Sequence, residues 1–259
     1  MPSWVLQDRV LRLLRGAALP MILVVMWEGS ARWTGGRFET LSRPSEVLAA
    51  AAASLADGSV LLATWQTVEA ALFGLALAIA AGIGLGTLIG ASRMAERAAR
   101  PTVEALRPIP AVALIPLTLL LFGYGLPMEG LVVAYACVWP ILIATADGVR
   151  RIEPRLIEVA QALEMTPFER LRHILLPAAL GPILVGIRIA AAFALVVAVT
   201  VEITVNPRGL GYSLIVAQQK LEIGRMYAQL LWLGLLGLAI NALISRMGGT
   251  GLGRGMEGH

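Results

Sequence analysis

Residues 158–182 read EVAQALEMTPFERLRHILLPAALGP, a charged, helix-forming stretch between two apolar segments. Its ionisable side chains are Glu158, Glu164, Glu169, Arg170, Arg172 and His173. Hydrocarbon does not hold such groups unpaired, so the stretch must face water or a soluble partner. A long polar insert with strong helix signals, set in an apolar chain, indicates a docking element.

The surrounding chain has the composition of an integral membrane protein. It has 259 residues, of which 58% are hydrophobic and only 15% are charged. Apolar runs of about 20 residues recur, which is the length that crosses a bilayer as a helix. We therefore predict an all-α integral membrane protein with six transmembrane helices. The net charge of +4 comes almost wholly from arginine, and Lys220 is the only lysine. Such a surplus is more typical of membrane topology than of nucleic-acid binding.

The predicted organisation is a single transmembrane domain, residues 17–247, with an insert at about 154–177. Residues 1–16 are interpreted as a cytoplasmic amphipathic N-terminus, because no small-residue cleavage site follows to favour a signal peptide. Residues 248–259 form a Gly-rich tail that we expect to be disordered and cytoplasmic. Arginine clusters at 93–100 and 150–155 mark their loops as cytoplasmic, which places both termini inside.

Two predicted spans carry distinctive small residues and prolines. The span at 61–91 has Gly82, Gly86 and Gly90 at intervals of four, which lets a neighbouring helix approach closely. The span at about 103–122 is broken by three prolines, and such a segment needs neighbours to satisfy its freed carbonyls or lines a cavity. The remaining spans are predicted at about 131–146, 178–201 and 227–244, and residues 202–225 are interpreted as a polar loop.

The chain lacks the motifs of common enzyme chemistry. It contains no G-x-x-x-x-G-K-[ST] phosphate-binding loop, no H-E-x-x-H and no G-x-S-x-G elbow. Cys137 is alone, and the two histidines are too scattered for a metal cluster. We therefore expect a transport protein without its own ATPase site. One alternative is a stand-alone secondary carrier or channel driven by an ion gradient, whereas a membrane-embedded enzyme has no supporting residues.

The insert has two local helix signals. Val159, Ala162 and Leu163 share one face of a helix that runs to about Met165. Thr166-Pro167-Phe168-Glu169 has the form of a capping box, with proline in the first turn of a second helix. Pro177 is interpreted as the point where that helix turns into the membrane. Two short helices with a sharp joint make a protruding knob, although a solvated loop without any partner would show the same pattern.

The insert resembles the EAA loop of binding-protein-dependent ABC importer permeases, whose pattern is E-A-A-x-x-x-G, nine residues, then I-x-L-P. Glu158, Ala160, Ile174, Leu176 and Pro177 fit that pattern. Val159 replaces the first family alanine, and Glu164 stands where the family usually has glycine. Further stretches resemble the nitrate/sulfonate/taurine branch: RPSEVL (43–48), ALRPIPAVALIPL (105–117), FGYG (122–125), GVRRIEP (148–154) and GLGY (209–212).

The resemblance implies a type I ABC importer permease in the bacterial inner membrane that works as a homodimer. Two ATP-binding cassette subunits would bind on the cytoplasmic side and a periplasmic solute-binding protein above. ATP and Mg²⁺ would sit on those partner subunits, and no cofactor on this chain. The solute would be a small anion such as a sulfonate, taurine, nitrate or bicarbonate. The residues predicted to couple to the ATPase are Glu158, Val159, Ala160, Ala162, Leu163, Glu164, Met165 and Thr166.

A second predicted set lies along the substrate pathway or at its outer gate. Its members are Glu69, Pro108, Pro110, Pro116, Glu202, Gly209, Gly211 and Tyr212. Glu69 lies deep in its span, so it either pairs with an arginine, such as Arg107 or Arg188, or faces the pathway. Glu202 closes the fifth predicted span, where an acid either reaches the outer interface or contacts the solute or the binding protein. Arg107 and Arg188 are either residues of the cytoplasmic edge or part of an anion route.

Overall fold

The computed structural model describes residue 19, residues 21–33 and residues 42–249, with side chains up to 243. The described part is helical and contains no strand. Its helices are α1 (21–33), α2 (Pro44–Ala56), α3 (Ser59–Ala91), α4 (Arg93–Leu106), α5 (Ile115–Phe122), α6 (Leu126–Arg150), α7 (Pro154–Ala162), α8 (Pro167–Arg170), α9 (Leu176–Thr204), α10 (Gly209–Gln219) and α11 (Ile223–Gly249). A 3₁₀ turn (Ala111–Leu114) precedes α5, and a π turn (Leu171–Leu175) joins α8 to α9.

The described chain divides into two compact units. The smaller unit comprises the described residues up to Leu61 together with Leu214–Trp232. In it, the rings of Trp27 and Tyr227 lie 5.7 Å apart. The carboxylate of Glu28 accepts a hydrogen bond from the Ser45 amide at 3.1 Å, so α1 is tied to the start of α2.

The larger unit comprises Leu62–Ser213 and the described residues from Leu233 onward. Its core is formed where α3, α6 and α9 pack, around Ala78, Cys137, Ile141 and Ala190. Gly82, Gly86 and Gly90 allow the close approach of α3 to α6, because a Cβ on Gly86 would lie 2.7 Å from the carbonyl oxygen of Leu142. The prediction that these glycines serve helix packing is confirmed.

The structure differs most from the prediction in the region of the third span, at about 103–122. The arginine-rich stretch at 93–100 is helix α4 rather than a loop, and the helix ends at Leu106. Residues 107–110 then interrupt the helix, and the axis of α4 makes an angle of 87° with the axis of the segment Ala111–Phe122. Pro108 and Pro110 cause this break, whereas Pro116 lies in the first turn of α5, where proline is tolerated. The Leu106 carbonyl accepts a hydrogen bond from the Ile109 amide at 3.0 Å and a second one from the Tyr135 hydroxyl of α6 at 2.6 Å, so a neighbouring helix contacts the break.

Three further boundaries need correction. Helix α6 begins at Leu126 rather than near residue 131, because Pro127 fits its first turn. The fifth span begins at Leu176 rather than Ala178, and the second helix of the insert continues into it through the π turn, so that Pro177 lies in the first turn of α9. The predicted polar loop at 202–225 contains the helix α10.

The all-helical membrane fold is confirmed. In the described residues, four helices are long and apolar enough to cross a bilayer, and the bent pair formed by α4 and the segment Ala111–Phe122 makes a fifth if counted as one span. The predicted first span lies partly outside the described residues. The predicted N-terminal segment 1–16 lies outside them entirely, as does the tail from residue 250. The single-domain boundaries therefore stay a prediction.

Candidate functional site

The insert is anchored to the membrane helices by an apolar base. Val149 and Ile152, at the end of α6, pack with Leu175, Ala179 and Ile183 of the π turn and α9. From the insert itself, Ile157, Leu171 and Ile174 join this cluster and are half-buried. Since Ile157 belongs to α7 and Leu171 to the π turn, both arms of the insert rest on one base, which also includes the end of α6 and the start of α9.

The joint between α7 and α8 is a Schellman motif with glutamate at its left-handed position. Glu164 has a φ of 50°. The Met165 amide donates to the Ala160 carbonyl and the Glu164 amide to the Gln161 carbonyl, both at 3.0 Å, which is the hydrogen-bond pattern of this motif. Glycine is the residue that adopts such a φ without steric cost. Glu164 therefore keeps the turn that glycine would form, and the turn is strained.

The second helix of the insert begins with the predicted capping box. The Thr166 hydroxyl accepts from the Glu169 amide at 3.3 Å, and the Glu169 carboxylate accepts from the Thr166 amide at 2.8 Å. Pro167 occupies the first turn. This local prediction is confirmed, and the cap fixes the direction in which α8 leaves the joint.

The outer side of the insert presents apolar side chains to solvent. Leu156, Val159 and Leu163 follow one side of α7 and its last turn, and their exposed fractions are 44%, 52% and 67%. Phe168, on α8, is also 67% exposed. Several large apolar side chains exposed within one short segment are typical of a protein interaction site. We name these four residues the apolar stripe of the insert.

The residues predicted to couple occupy different positions in this segment. Glu158, Ala162, Glu164 and Thr166 are exposed, and Met165 is half-buried. Ala160 is fully buried, so a larger side chain there would disturb the packing of α7 before it changed any outer surface. The residues predicted to couple did not include Leu156 or Phe168. The spacing of Leu156, Val159 and Leu163 at i, i+3 and i+7 was the available signal.

At the other end of the α6–α9 pair, side chains of two membrane helices cap the first turn of α10. The Gly209 amide donates to the Gln66 side-chain oxygen at 2.9 Å, and the Leu210 amide donates to the Thr67 hydroxyl at 2.9 Å. The Gly211 amide donates to the Glu202 carboxylate at 2.8 Å. Helix N-termini leave these amides without a partner of their own. The predicted gate segment, 209–212, is thus held by α3 and α9.

Both glycines of this segment are required by the close approach of Glu202. Gly209 has a φ of +85°, and a Cβ there would overlap the Glu202 carboxylate. A Cβ on Gly211 would lie 2.8 Å from the Glu202 Cβ and 2.6 Å from the Val199 carbonyl oxygen. Tyr212 follows and is 41% exposed. The structure therefore brings together four predicted residues: Glu202, Gly209, Gly211 and Tyr212.

A second acidic residue, which sequence reasoning missed, completes this cluster. Glu129 and Glu202 are each 2% exposed, and their carboxyl groups lie within hydrogen-bonding reach of each other. The fully buried Asn206 side-chain amide donates to Glu129 at 2.5 Å. Two ionised carboxylates in contact repel, so the pair needs a shared proton or a nearby cation. An acid in the first turn of an apolar span was the signal that could have identified Glu129.

The prediction that Glu69 pairs with an arginine is confirmed, although the partner is neither of the two arginines named as examples. Its carboxylate lies 3.6 Å from the guanidinium of Arg208, and not beside Arg107 or Arg188. Arg208 belongs to the short turn that leads into α10, so this ion pair is a partly exposed addition to the same cluster. The predicted pathway prolines lie away from this cluster and are all exposed: Pro108 and Pro110 in the break after α4, and Pro116 in α5.

The two sites lie at opposite ends of one helix pair. Glu129 is in the first turn of α6, and α7, the first helix of the insert, begins four residues after the end of α6 at Arg150. A helix rises about 1.5 Å per residue, so roughly 30 Å separates them along α6. Among the described residues, no group of three His, Cys, Asp or Glu side chains is placed to hold a metal ion. The insert and the cluster around Glu129 and Glu202 are therefore two surfaces joined by packed helices.

The chain is similar to a family of membrane transport proteins and to individual permeases. Residues 74–249 match the family described as binding-protein-dependent transport system inner membrane component. A Bacillus subtilis protein described as an aliphatic sulfonates transport permease is 26% identical over 231 residues, covering 89% of this chain and 84% of that protein. The nitrate import permease protein NrtB of Leptolyngbya laminosa is 31% identical over 183 residues, covering 70% and 66%.

Among solved structures, one chain of the MetNI methionine ABC transporter in an inward-facing conformation is similar. The TM-score is 0.61 at 22% sequence identity, and the match covers 74% of this chain and 95% of that chain. At this identity the likeness concerns the fold, and it extends over nearly the whole of the solved chain.

Proposed function

Because the chain belongs to the family of binding-protein-dependent transport system inner membrane components, we propose that two copies of it form the path by which a small anion crosses the bacterial inner membrane. A solute-binding protein would deliver the anion on the outer side. Two ATP-binding cassette subunits, carrying ATP and Mg²⁺, would bind on the inner side.

Members of this family are the membrane permeases of ABC importers, and separate subunits hydrolyse the ATP. The chain is accordingly a multi-pass transport subunit and not an ATPase. A stand-alone carrier driven by an ion gradient is no longer needed to explain its composition.

The proposed orientation places the insert and both termini in the cytoplasm. Arginines support it, because they concentrate at the end of the helix pair where the insert lies: Arg93, Arg97, Arg100, Arg150, Arg151 and Arg155. Such an excess is typical of the cytoplasmic side. The cluster around Glu129 and Glu202 then belongs to the periplasmic end, where the binding protein would dock.

The observation that carries the proposal is the apolar stripe of the insert. A solvated loop without a partner would not keep Leu163 and Phe168 two-thirds exposed on a capped, anchored joint. An amphipathic helix of this size suits a groove on a partner, with its apolar residues as anchors. We assign the stripe, flanked by Glu158, as the surface that contacts the ATPase subunit.

Motion of that subunit would reach the outer end through packed helices. The base of the insert includes the ends of α6 and α9, and the same two helices carry Glu129 and Glu202 at their other ends. A shift of either helix would pull on the Gly211 amide and so on the segment 209–212. We propose that this segment is part of the outer gate.

Several features support an anion as the solute. The two relatives described above are named for sulfonates and nitrate. Arg107, in the proline break, and Arg188, in α9, are exposed and form no ion pair among the described residues. Positive groups on otherwise apolar surfaces are costly unless they line a pathway or reach an interface. Pro108 and Pro110 lie beside Arg107, so we assign this break to the pathway.

The coupling surface is tested by co-purification and uptake. Leu163→Glu and Glu158→Lys are expected to leave the permease inserted but to abolish both ATPase co-purification and ATP-driven uptake. Leu55→Glu, an equally large change at an exposed leucine of α2, is the control and should retain the ATPase. If both coupling variants transport normally, the insert is not the docking element.

The transport role is tested in vesicles that contain the permease with its proposed partners, the ATPase subunits and the binding protein. Uptake of labelled nitrate or taurine should require ATP and all three components. Uptake by the permease alone under an ion gradient would contradict the proposal. Binding calorimetry on the binding protein would identify the anion.

A further inference from the structure

The contact between Glu129 and Glu202 lies in apolar surroundings. Each acid directly follows a fully buried apolar residue, Met128 or Val201, and these two residues belong to one apolar cluster with Ile115. Both acids are themselves 2% exposed, so water does not reach them freely. Burying a carboxylate is costly unless a partner compensates its charge. Burying two in contact requires that something neutralise at least one of them.

The charged and titratable groups on the neighbouring elements do not supply that neutralisation. Arg208, in the turn before α10, attracts Glu129, but its guanidinium lies 3.6 Å from the carboxylate of Glu69 in α3 and is partly exposed. This one cation is therefore shared with a third acid. The segment Ala111–Phe122 has no charged side chain. The remaining titratable groups near this end of the helices are the hydroxyls of Tyr124 and Tyr212, which carry no positive charge.

The hydrogen bonds of the pair show a shortage of donors. Glu202 accepts from the Gly211 amide on Oε2, and Glu129 accepts from the Asn206 amide on Oε2. Oε1 of each carboxyl group is buried and has no partner among the described residues, and the same holds for Oδ1 of the fully buried Asn206. Ionised carboxylates can only accept hydrogen bonds. Two carboxyl groups within reach of each other therefore need a proton before they can form a bond.

A metal ion fits this place less well than a proton does. Calcium takes six to eight oxygen ligands, and magnesium requires an octahedral shell. The described part of the chain has no group of three His, Cys, Asp or Glu side chains placed to hold a metal ion. The two carboxyl groups are also within hydrogen-bonding reach of each other, which leaves no gap for an ion between them.

We propose that Glu129 and Glu202 bind one proton, which Glu129 carries and donates to Glu202. The negative charge belongs on Glu202, because its carboxylate accepts a backbone amide at the N-terminus of α10. The proton then joins the start of α6 to the end of α9 and, through the Gly211 amide, to the segment 209–212. Its loss leaves two negative charges in contact, which pushes these helix ends apart. That this loosens the outer gate at alkaline periplasmic pH rests on the role given to the segment under Proposed function.

The pH dependence of stability tests the bound proton on the full chain in detergent. Glutamates of the unfolded chain are ionised near neutral pH, so folding takes up one proton and stability falls as the pH rises. The unfolding constant should increase by up to about tenfold per pH unit between about pH 6 and pH 8. Glu129→Gln keeps an oxygen for Asn206 and supplies a permanent donor to Glu202, so it should remove this increase. Glu69→Gln, at the neighbouring partly exposed acid, should retain it.

Infrared spectroscopy observes the proton without unfolding the protein. The wild type at neutral pH should show the carbonyl stretching band of a protonated carboxyl group, and Glu129→Gln should lack it. The proposal is wrong if that band is absent from the wild type, or if wild type and Glu129→Gln lose stability equally with pH. Stability that follows sodium concentration at constant pH would assign a bound cation instead. Neither readout involves ATP, the ATPase subunits or transport, so a failure here is distinct from a failure of the proposed function.

Discussion

The Glu202 carboxylate accepts a hydrogen bond from the Gly211 amide at 2.8 Å, and this contact fastens the start of α10 to the end of α9. The two residues lie only nine positions apart, yet they belong to different helices. A carboxylate at a helix N-terminus is favourable, because the helix dipole and the free amides there attract negative charge. The contact gives the predicted gate segment a defined position relative to a membrane-spanning helix.

Removal of the Glu202 carboxylate should destabilise the permease. Glu202→Ala leaves the Gly211 amide buried without its acceptor, and an unsatisfied buried donor costs roughly 1–3 kcal/mol. Glu202→Gln keeps an acceptor oxygen and should lie between the wild type and the alanine variant. Thermal unfolding in detergent measures the effect. Glu69→Ala, which breaks only a partly exposed ion pair, should change stability by less than about 1 kcal/mol, and an equal loss in both alanine variants would contradict this account.

The backbone and the packing requirements at Gly209 can be separated with a second glycine. Gly58 has a φ of +73° and open space around its missing Cβ, whereas Gly209 combines a φ of +85° with the Glu202 carboxylate. Gly58→Ala should cost roughly 1–2 kcal/mol from backbone strain alone. Gly209→Ala should cost about 1–3 kcal/mol more because of overpacking. Equal unfolding temperatures for the two variants would show that the contact with Glu202 does not constrain Gly209.

Glu164→Gly should relieve strain in the joint of the insert. A non-glycine residue in the left-handed region costs roughly 1–2 kcal/mol, of which the greater freedom of glycine in the unfolded chain offsets a part. Hydrogen exchange of the Met165 amide, which bonds to Ala160, reports on this turn. Slower exchange is expected. Glu158→Gly, the same change inside α7, should speed exchange by the equivalent of about 1 kcal/mol, and faster exchange in both variants would refute the strained turn.

The packing of α3 on α6 predicts opposite outcomes at two nearby glycines. A Cβ on Gly86 would lie 2.7 Å from both the Leu142 carbonyl oxygen and the Thr145 Cβ, whereas Gly84 has open space around it. Gly86→Ala should therefore destabilise the protein by about 1–3 kcal/mol through overpacking. Gly84→Ala should be neutral or slightly stabilising, because alanine favours the helix. Thermal unfolding of both variants in one detergent decides the comparison.

Much of the insert could be predicted from the chain. Periodicity and caps reveal features that depend on neighbours within a few residues. In the insert these are the capping box at Thr166 and the exposed face with Val159 and Leu163; outside it, the glycine spacing in α3 is another. The continuous helix through Pro177 could not be predicted, because proline ends some helices and occupies the first turn of others. In the structure a π turn joins α8 to α9, and Pro177 lies in the first turn of α9. The 87° bend after α4 likewise has no local signature beyond its prolines.

By itself, the sequence determined the membrane class, the polar insert, its cap and the resemblance to importer permeases. These depend on hydropathy, charge and spacing, which act over short stretches of chain. The tertiary structure alone decided the partners of the polar groups inside the apolar helices. Gln66 and Gly209 are 143 residues apart, and Glu129 and Asn206 are 77 apart. A buried polar group takes whichever partner helix packing places beside it, and packing depends on contacts between segments that are distant in sequence.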